Sequence, residues 1–370
     1  MTELTLGRDR VRRWVRAGAA APPGTDARRV LQLTLAGAWL LDGVLQFQSS
    51  LYTQAFGQMI GGTAAGNPAV IARPIGWNAA FVEQHLALLN TVFAAFQLLL
   101  GLGIAYRPTV RVALAASVAW SLAVWWLGEG LGGVLSGNAS PVNGAPGAVI
   151  LYALLAVLLW PSDRPGVTAT CVAARAVGAP VARLLWVVLW GSLAYFALTP
   201  VNRAPQALQN MTAGMAGGEP GWVSWLEEQA AALLGGHGLA ASVGLAVALV
   251  VIAAGVFLPP PLARSALVLA LVTAAFIWAF GEAFGQILAG GATDPNSGPL
   301  LALLALAYWP PAPAAPRACR PQADGPATMA ADPADPAEGD DGDDGDDGDD
   351  GDDGDDGDDG DDGRPEGESG

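Results

Sequence analysis

WWLGEGLGGVLSGNASPVNGAP at residues 125–146 and WAFGEAFGQILAGGATDPNSGP at residues 278–299 decide the reading of this chain. The two stretches lie at a constant offset of 153 residues, and the match runs back without a gap to Pro108 and Pro261. Over those 39 positions 13 residues are identical, among them Arg111/Arg264, Trp125/Trp278, Gly128/Gly281, Glu129/Glu282, Gly132/Gly285, Asn143/Asn296 and Pro146/Pro299. Self-similarity at a fixed period marks a duplicated structural unit. Both copies also close on Trp-Pro, at Trp160-Pro161 and Trp309-Pro310. Upstream, Gly76-Trp77 with Glu83-Gln84 matches Gly221-Trp222 with Glu228-Gln229 at an offset of 145, which asks for about eight extra residues near 235–242 in the second copy.

The repeated stretches sit in an apolar chain: 52% of the residues are hydrophobic and 14% charged. A membrane-crossing helix needs about 20 mostly apolar residues, because the bilayer core offers no water to an open backbone. Eight stretches are read as spans: 30–47, 85–105, 109–130, 146–160, 183–199, 238–258, 263–284 and 298–309. On that assignment 16 of the 18 arginines fall on one side, and only Arg73 and Arg203 on the other. Arginine excess marks the cytoplasmic side, so a multi-pass plasma-membrane protein with both termini in the cytoplasm is expected. Four spans per copy give both copies the same orientation, a parallel repeat. The expected fold is all-α, a polytopic membrane bundle of two four-helix units. Unit 1 covers 30–161 and unit 2 covers 183–310, with a cytoplasmic linker at 162–182. The outer connections 48–84 and 200–237 hold amphipathic stretches with aromatic anchors, Trp77-Phe81 and Trp222-Trp225, which suit helices lying in the interface.

The formal charge of -16 belongs to the end of the chain. From Gln322 onward there are 22 acids and one arginine, whereas everything before holds 17 arginines and 12 acids. Residues 311–370 read as a Pro/Ala linker followed by eight Gly-Asp-Asp triplets, a segment with nothing to bury and expected to be disordered. Residues 1–29, with seven arginines, read as a retained cytoplasmic arm. The two cysteines, Cys171 and Cys319, lack any ligand spacing and are expected to be reduced thiols. No soluble segment is large enough for a cytoplasmic enzyme or a nucleic-acid-binding domain. The partners expected are the lipid bilayer and a membrane protein, with no nucleic acid, and no cofactor is named by the residues.

The candidate site residues are the polar groups set among apolar spans, where each is costly and therefore a functional candidate. Placed on a 100°-per-residue helix from Arg111, the shared residues Leu114, Trp125, Gly128, Glu129, Gly132, Leu135 and Ala139 fall in an arc of roughly 120°. That face carries G-x-x-x-G in both copies (Gly128/Gly132 and Gly281/Gly285), which suits close helix packing. Glu129 and Glu282 either hydrogen-bond the Gly/Asn/Pro-rich loop that follows or serve a ligand or proton. Asp42, with Gln46 one turn on, His85, Asn90 and Gln97 add polar groups to unit 1. His85 and Glu129 are expected at one membrane depth, with Asp42 a turn or two deeper. In unit 2 His237 could meet Glu282, although the 145 offset does not pair the two histidines. Each histidine reads either as a polar anchor or, beside a carboxylate, as a proton or metal group.

The stretch QLLLGLGIAYRPTVRVAL at 97–114 resembles the DoxX-like membrane proteins, in which a four-helix unit carries a glycine-rich second helix ending in an arginine turn. The chain is also similar to uncharacterised polytopic membrane proteins of GC-rich bacteria. The DoxX-like resemblance implies association with quinone- or thiol-linked redox partners. Duplication and the G-E-x-[LF]-G segment depart from the single-unit pattern. The function expected is that of a redox-associated or accessory membrane protein binding a small ligand or partner at its extracytoplasmic face. A small-solute, proton or metal-ion transporter and a structural assembly factor are the alternatives.

Overall fold

The computed structural model describes residues 26–162 and 170–310. Most of the arginine-rich arm, residues 163–169 of the linker and the acidic tail lie outside the described residues. Within them the chain is helical throughout, and its main helices fall into two successive sets of six. The first set is α1 (Ala27–Leu45), α2 (Gln54–Gly62), α3 (Ala69–Gln84), α4 (Leu86–Ala105), α5 (Val110–Leu127) and α6 (Ala148–Leu158). The second is α7 (Ala179–Ala197), α8 (Ala207–Met215), α9 (Gly221–Leu234), α10 (Gly238–Gly255), α11 (Pro260–Phe276) and α12 (Ser297–Ala307).

Local sequence explains where these helices begin and end. Asp26 caps α1, its carboxylate accepting from the Arg28 backbone N–H at 3.2 Å, and Thr53 caps α2 through the Ala55 N–H. Tyr106, in extended conformation, closes α4, and a short 3-10 turn over Arg107–Thr109 leads into α5. Pro260-Pro261 opens α11, where the missing N–H groups cost nothing.

Successive long helices run in alternating directions. Arg29 near the start of α1 donates to Ile104 O at the end of α4 (3.0 Å), whereas Asn90 near the start of α4 donates to Gln46 O just beyond α1 (2.7 Å). In the second set Trp186 near the start of α7 donates to Ile252 O near the end of α10, and Ser242 near the start of α10 to Asn202 O just after α7. The bundle thus has one end formed by long connections and another formed by short turns. Of the nine arginines in the described residues, Arg28, Arg29, Arg107, Arg111, Arg175, Arg183 and Arg264 are at the short-turn end.

The segments Leu86–Ala105, Arg107–Leu127, Ala179–Ala197, Gly238–Gly255 and Pro260–Gly281 are long and apolar enough to cross a membrane. Only 28% to 39% of each is buried inside the protein, which leaves large apolar side chains such as Leu99, Val112, Val188 and Val272 exposed along their outer faces. Helix α1 is comparable in length but carries Arg28, Arg29 and Asp42. Helices α6 and α12, of eleven residues each, are the innermost elements: they pack on one another, and eight residues of each are buried. Helices α2/α3 and α8/α9 form pairs at the long-connection end, where the exposed Trp77 stacks on Phe81 at 5.6 Å.

Three sequence expectations are corrected by this geometry. Helix α5 stops at Leu127, and the α-helical part of the seventh span at Phe276, followed by a π turn over Ile277–Gly281. Gly132, Leu135 and Ala139 therefore share no helix face with Trp125, and the G-x-x-x-G pairs are not helix-packing seams. Their glycines do admit close neighbours, but the neighbours are loop backbone: a Cβ at Gly132 would clash with Pro146 O, at Gly281 with Val142 O and at Gly285 with Pro295 O. Second, α3 and α9 start 152 residues apart, as do α4 and α10, so the 145 offset puts Trp77 and Trp222 two turns out of register and no eight-residue insertion precedes α10. The 152 spacing places His85 and His237 at equivalent positions, each as the residue before its helix. Third, α6 and α12 start 149 apart, so Pro146 corresponds in space to Pro295 rather than Pro299. The first connection is four residues longer (153 − 149), the difference falling between Gly137/Gly290 and Pro146/Pro295.

Candidate functional site

After each of α5 and α11 the chain makes one turn of left-handed backbone. The φ values are 57° to 72° over Gly130–Gly133 and 43° to 74° over Ala283–Gln286. An L-residue in this conformation costs roughly 1–2 kcal/mol, which glycine avoids. Three of the four residues in the first turn are glycine, but only Gly285 in the second, so there the contacts must hold Ala283, Phe284 and Gln286 in place. They do so through Phe284, which packs on Trp278 at 5.3 Å and on Trp222 at 5.7 Å.

Each turn brings the chain back under its own tryptophan. Trp125 Nε1 donates to Pro146 O at 2.7 Å, and Trp278 Nε1 to Pro295 O at 3.0 Å. The glutamate between tryptophan and turn then reaches the first N–H groups of the next helix. Glu129 Oε1 accepts from Val149 N at 3.2 Å. Glu282 accepts from Ser297 N at 3.2 Å, from Gly298 N at 3.0 Å, and from the Ser297 hydroxyl. A carboxylate at a helix N-terminus satisfies orphan donors and meets the positive end of the helix dipole. Of the two sequence readings for these acids, loop and helix anchoring thus describes all of Glu282 but only half of Glu129.

Two donors differ: Glu282 Oε1 takes both the N–H and the hydroxyl of Ser297, whereas Glu129 takes a hydrogen bond of ordinary geometry only from Val149 N. At the 149 spacing Ser297 corresponds to Ala148, which has no hydroxyl to give. Glu129 Oε2 is left buried and without a hydrogen-bond partner, beside Gly147 and on the wall of a cavity of about 650 Å³. Asp42, 1% exposed, lines the same cavity with Oδ1 unpartnered, as do Gln46 and Gln97, whose Oε1 atoms are buried and unpartnered. Trp39, Trp120 and Phe93 add aromatic walls, and the Trp120 Nε1 is also without an acceptor. The Tyr152 hydroxyl stands beside the Asp42 carboxyl without a hydrogen bond of ordinary geometry.

The second set of helices contributes to this cavity. Thr293, Asp294 and Asn296 line it from the connection before α12. Asp294 accepts from Thr293 Oγ1 at 2.9 Å and from Asn296 N at 2.8 Å. Burial pushes the Asp294 carboxyl upward from its ordinary value, against those two hydrogen bonds. Its approach follows from the packing of the two connections, Gly144 lying against Asn296 and Gly281 against Val142.

Asp42 and Glu129 therefore share one cavity, but His85 does not line it. That side chain is exposed, with Nδ1 at 3.0 Å from Phe81 O and its ring 4.7 Å from the Phe81 ring, a local anchor at the junction of α3 and α4. His237 is likewise exposed and makes no contact with Glu282 among the described hydrogen bonds. Asn90 is fully buried behind the cavity, tied to Gln46 O, and its Oδ1 is unpartnered. Among the described residues no three His, Cys, Asp or Glu side chains stand close enough together to hold one metal ion.

Two groups lie beyond the sequence reading. Asp294 falls opposite Pro141 in the ungapped alignment, so its approach to the first unit depends on the four-residue difference between connections. Glu227 on α9 is fully buried with both carboxylate oxygens unpartnered, and the buried Thr212 hydroxyl of α8, the helix packed on α9, is unpartnered too. At the 152 spacing of α3 and α9, Glu227 corresponds to Ile75, which lies in an apolar cluster. Comparison of the chain with protein-family models, curated proteins and solved structures finds no match in any of the three.

Proposed function

We propose that this chain is a multi-pass plasma-membrane protein, built from two copies of a four-helix unit, whose first copy holds a small polar ligand at the extracytoplasmic side. Insertion is supported by the five apolar helices and their exposed apolar faces, which a water-soluble surface does not tolerate over such areas. Cytoplasmic termini are supported by the seven arginines at the short-turn end. Duplication is supported by the matching order and lengths of the two helix sets and by the recurrence of the left-handed turn, the tryptophan–carbonyl bond and the glutamate cap. Eleven-residue α6 and α12 rise only about 16 Å, roughly half the hydrocarbon thickness. In this reading the connections before them fill the rest and place the cavity within the outer half of the bundle.

The observation that carries the ligand reading is the set of buried acceptors, Asp42 Oδ1, Gln97 Oε1 and Glu129 Oε2, left unpartnered in the lining of one cavity. Buried polar atoms without partners are costly, and a ligand bearing donors removes that cost. Native mass spectrometry of gently extracted protein tests this. A non-lipid adduct is expected on the wild type and lost in Asp42→Leu/Gln97→Leu, which fills the site with apolar groups. Identical spectra for both proteins would count against it. Transport is the second reading, favoured by the reach of the cavity to Gln97, past the midpoint of α4. Its test is flux into proteoliposomes. The redox association implied by the DoxX-like resemblance rests on residues 97–114 alone and is proposed only as a partner class.

A further inference from the structure

We propose that the cavity takes an extended organic amine, long enough for its ammonium groups to meet more than one of Asp42, Glu129 and Asp294. This deepens the ligand reading of the same site and rests on it. The first observation is the sign of the wall. Three carboxyl groups from three separate elements line the cavity, and no arginine or histidine does; the chain contains no lysine. The second is the hydrogen-bonding character of what is left open. Asp42 Oδ1, Gln46 Oε1, Gln97 Oε1 and Glu129 Oε2 are acceptors, against Trp120 Nε1 as a donor and the Ser140 hydroxyl as either, and this balance asks for a ligand rich in N–H donors rather than an anion. The third is aromatic: Trp39, Trp120 and Phe93 present ring surface of the kind that attracts cations and covers methylene chains.

Spacing then narrows the class. Asp294 is near enough to act electrostatically on both Asp42 and Glu129, yet the three carboxyl groups do not converge as a metal cage would. A cavity of about 650 Å³ is also large for a bare ion and of the size that holds small organic molecules. An amine with charges at both ends of an apolar chain satisfies carboxylates on different walls and leaves its methylenes against the rings.

The test uses full-length protein in nanodiscs, with Cys171→Ala and Cys319→Ala removing the native thiols and Ser136→Cys placing one thiol on the cavity wall. The readout is the rate of labelling by a charged, membrane-impermeant maleimide. Cadaverine is expected to slow labelling strongly, pentylamine weakly and pentanediol not at all. Asp42→Asn and Asp294→Asn are each expected to raise the protecting concentration of cadaverine at least tenfold, with Glu228→Asn, on the exposed side of α9, leaving it unchanged. The comparison of diamine, monoamine and diol needs no acidic-site variant, so it stands even where a variant folds poorly. Equal protection by the diol, or none by either amine on a readily labelled thiol, would overturn the amine class while leaving the ligand reading intact. A thiol that never reacts would overturn both.

Discussion

Exchanging one hydroxyl between the two copies should exchange the behaviour of the two glutamates. In Ser297→Ala, Glu282 loses the hydroxyl donor and keeps the Ser297 and Gly298 N–H groups. Both Glu282 and Ser297 are fully buried, so water does not replace the lost donor. A hydrogen bond to a charged acceptor is worth about 1.5–3 kcal/mol, and removing the donor leaves no orphan hydroxyl behind, so a loss of roughly 1–3 kcal/mol is expected. At about 2–4 °C per kcal/mol this is a fall of several degrees in the unfolding midpoint. The reciprocal Ala148→Ser supplies Glu129 Oε2 with a donor and should stabilise the fold by about 1 kcal/mol, raising the midpoint by about 2–4 °C. The same change occupies a cavity-facing acceptor, so it should weaken ligand retention as it stabilises the fold. Thermal unfolding of detergent-solubilised protein, followed by size-exclusion fluorescence, measures both. A neutral Ser297→Ala together with a destabilising Ala148→Ser would refute the correspondence of the two positions and the account of why Glu129 remains half-open.

Gly132→Ala should be among the most damaging single changes, because a Cβ meets the Pro146 carbonyl at a φ of 62°; a loss of at least about 3 kcal/mol is expected, exceeding that of Gly285→Ala, where the Pro295 carbonyl is farther away. Unfolding midpoints of the two variants check the order. Burial, reinforced by the charge of Glu219, pushes Glu227 up to about 7, so the folded state binds this proton more tightly than the unfolded chain. Stability from this group is present below about pH 4.5 and is lost as pH rises to about 7; Glu227→Gln should flatten that slope in a thermal-melt series across pH. Trp77→Ala removes an exposed aromatic ring and should leave the unfolding midpoint little changed, whereas Trp222→Ala also removes the ring packed on Phe284 and should lower it by several degrees.

Much of the helical fold was legible because it follows from apolar length, which acts locally. Each of the eight proposed spans coincides with a helix to within a few residues at most boundaries. The sequence match also pointed to Trp125/Trp278, Glu129/Glu282 and Gly132/Gly285, which occupy similar local geometry at the 153 spacing. It misled where identity and geometry part: Asn143/Asn296 and Pro146/Pro299 are identical pairs that the four-residue difference moves apart. The G-x-x-x-G reading failed because a helical wheel assumes a helix, and the left-handed turn at Gly130–Gly133 ends it. Asp42 and Glu129 stood out as carboxyl groups among apolar residues. Asp294 did not, because its place at the first unit's cavity depends on how two connections pack. His85 suggested chemistry by its predicted depth, but the start of α4 turns it outward.

The central claim is that the cavity of the first unit opens to the extracytoplasmic side and is occupied by a small polar solute. Its most direct measurement is labelling of Ser136→Cys, in the background lacking Cys171 and Cys319, by an impermeant maleimide added to intact cells. The account predicts reaction from outside in washed cells and protection once the cell's own small-molecule extract is restored. Reaction only after the membrane is permeabilised, or a rate indifferent to the extract, would contradict it.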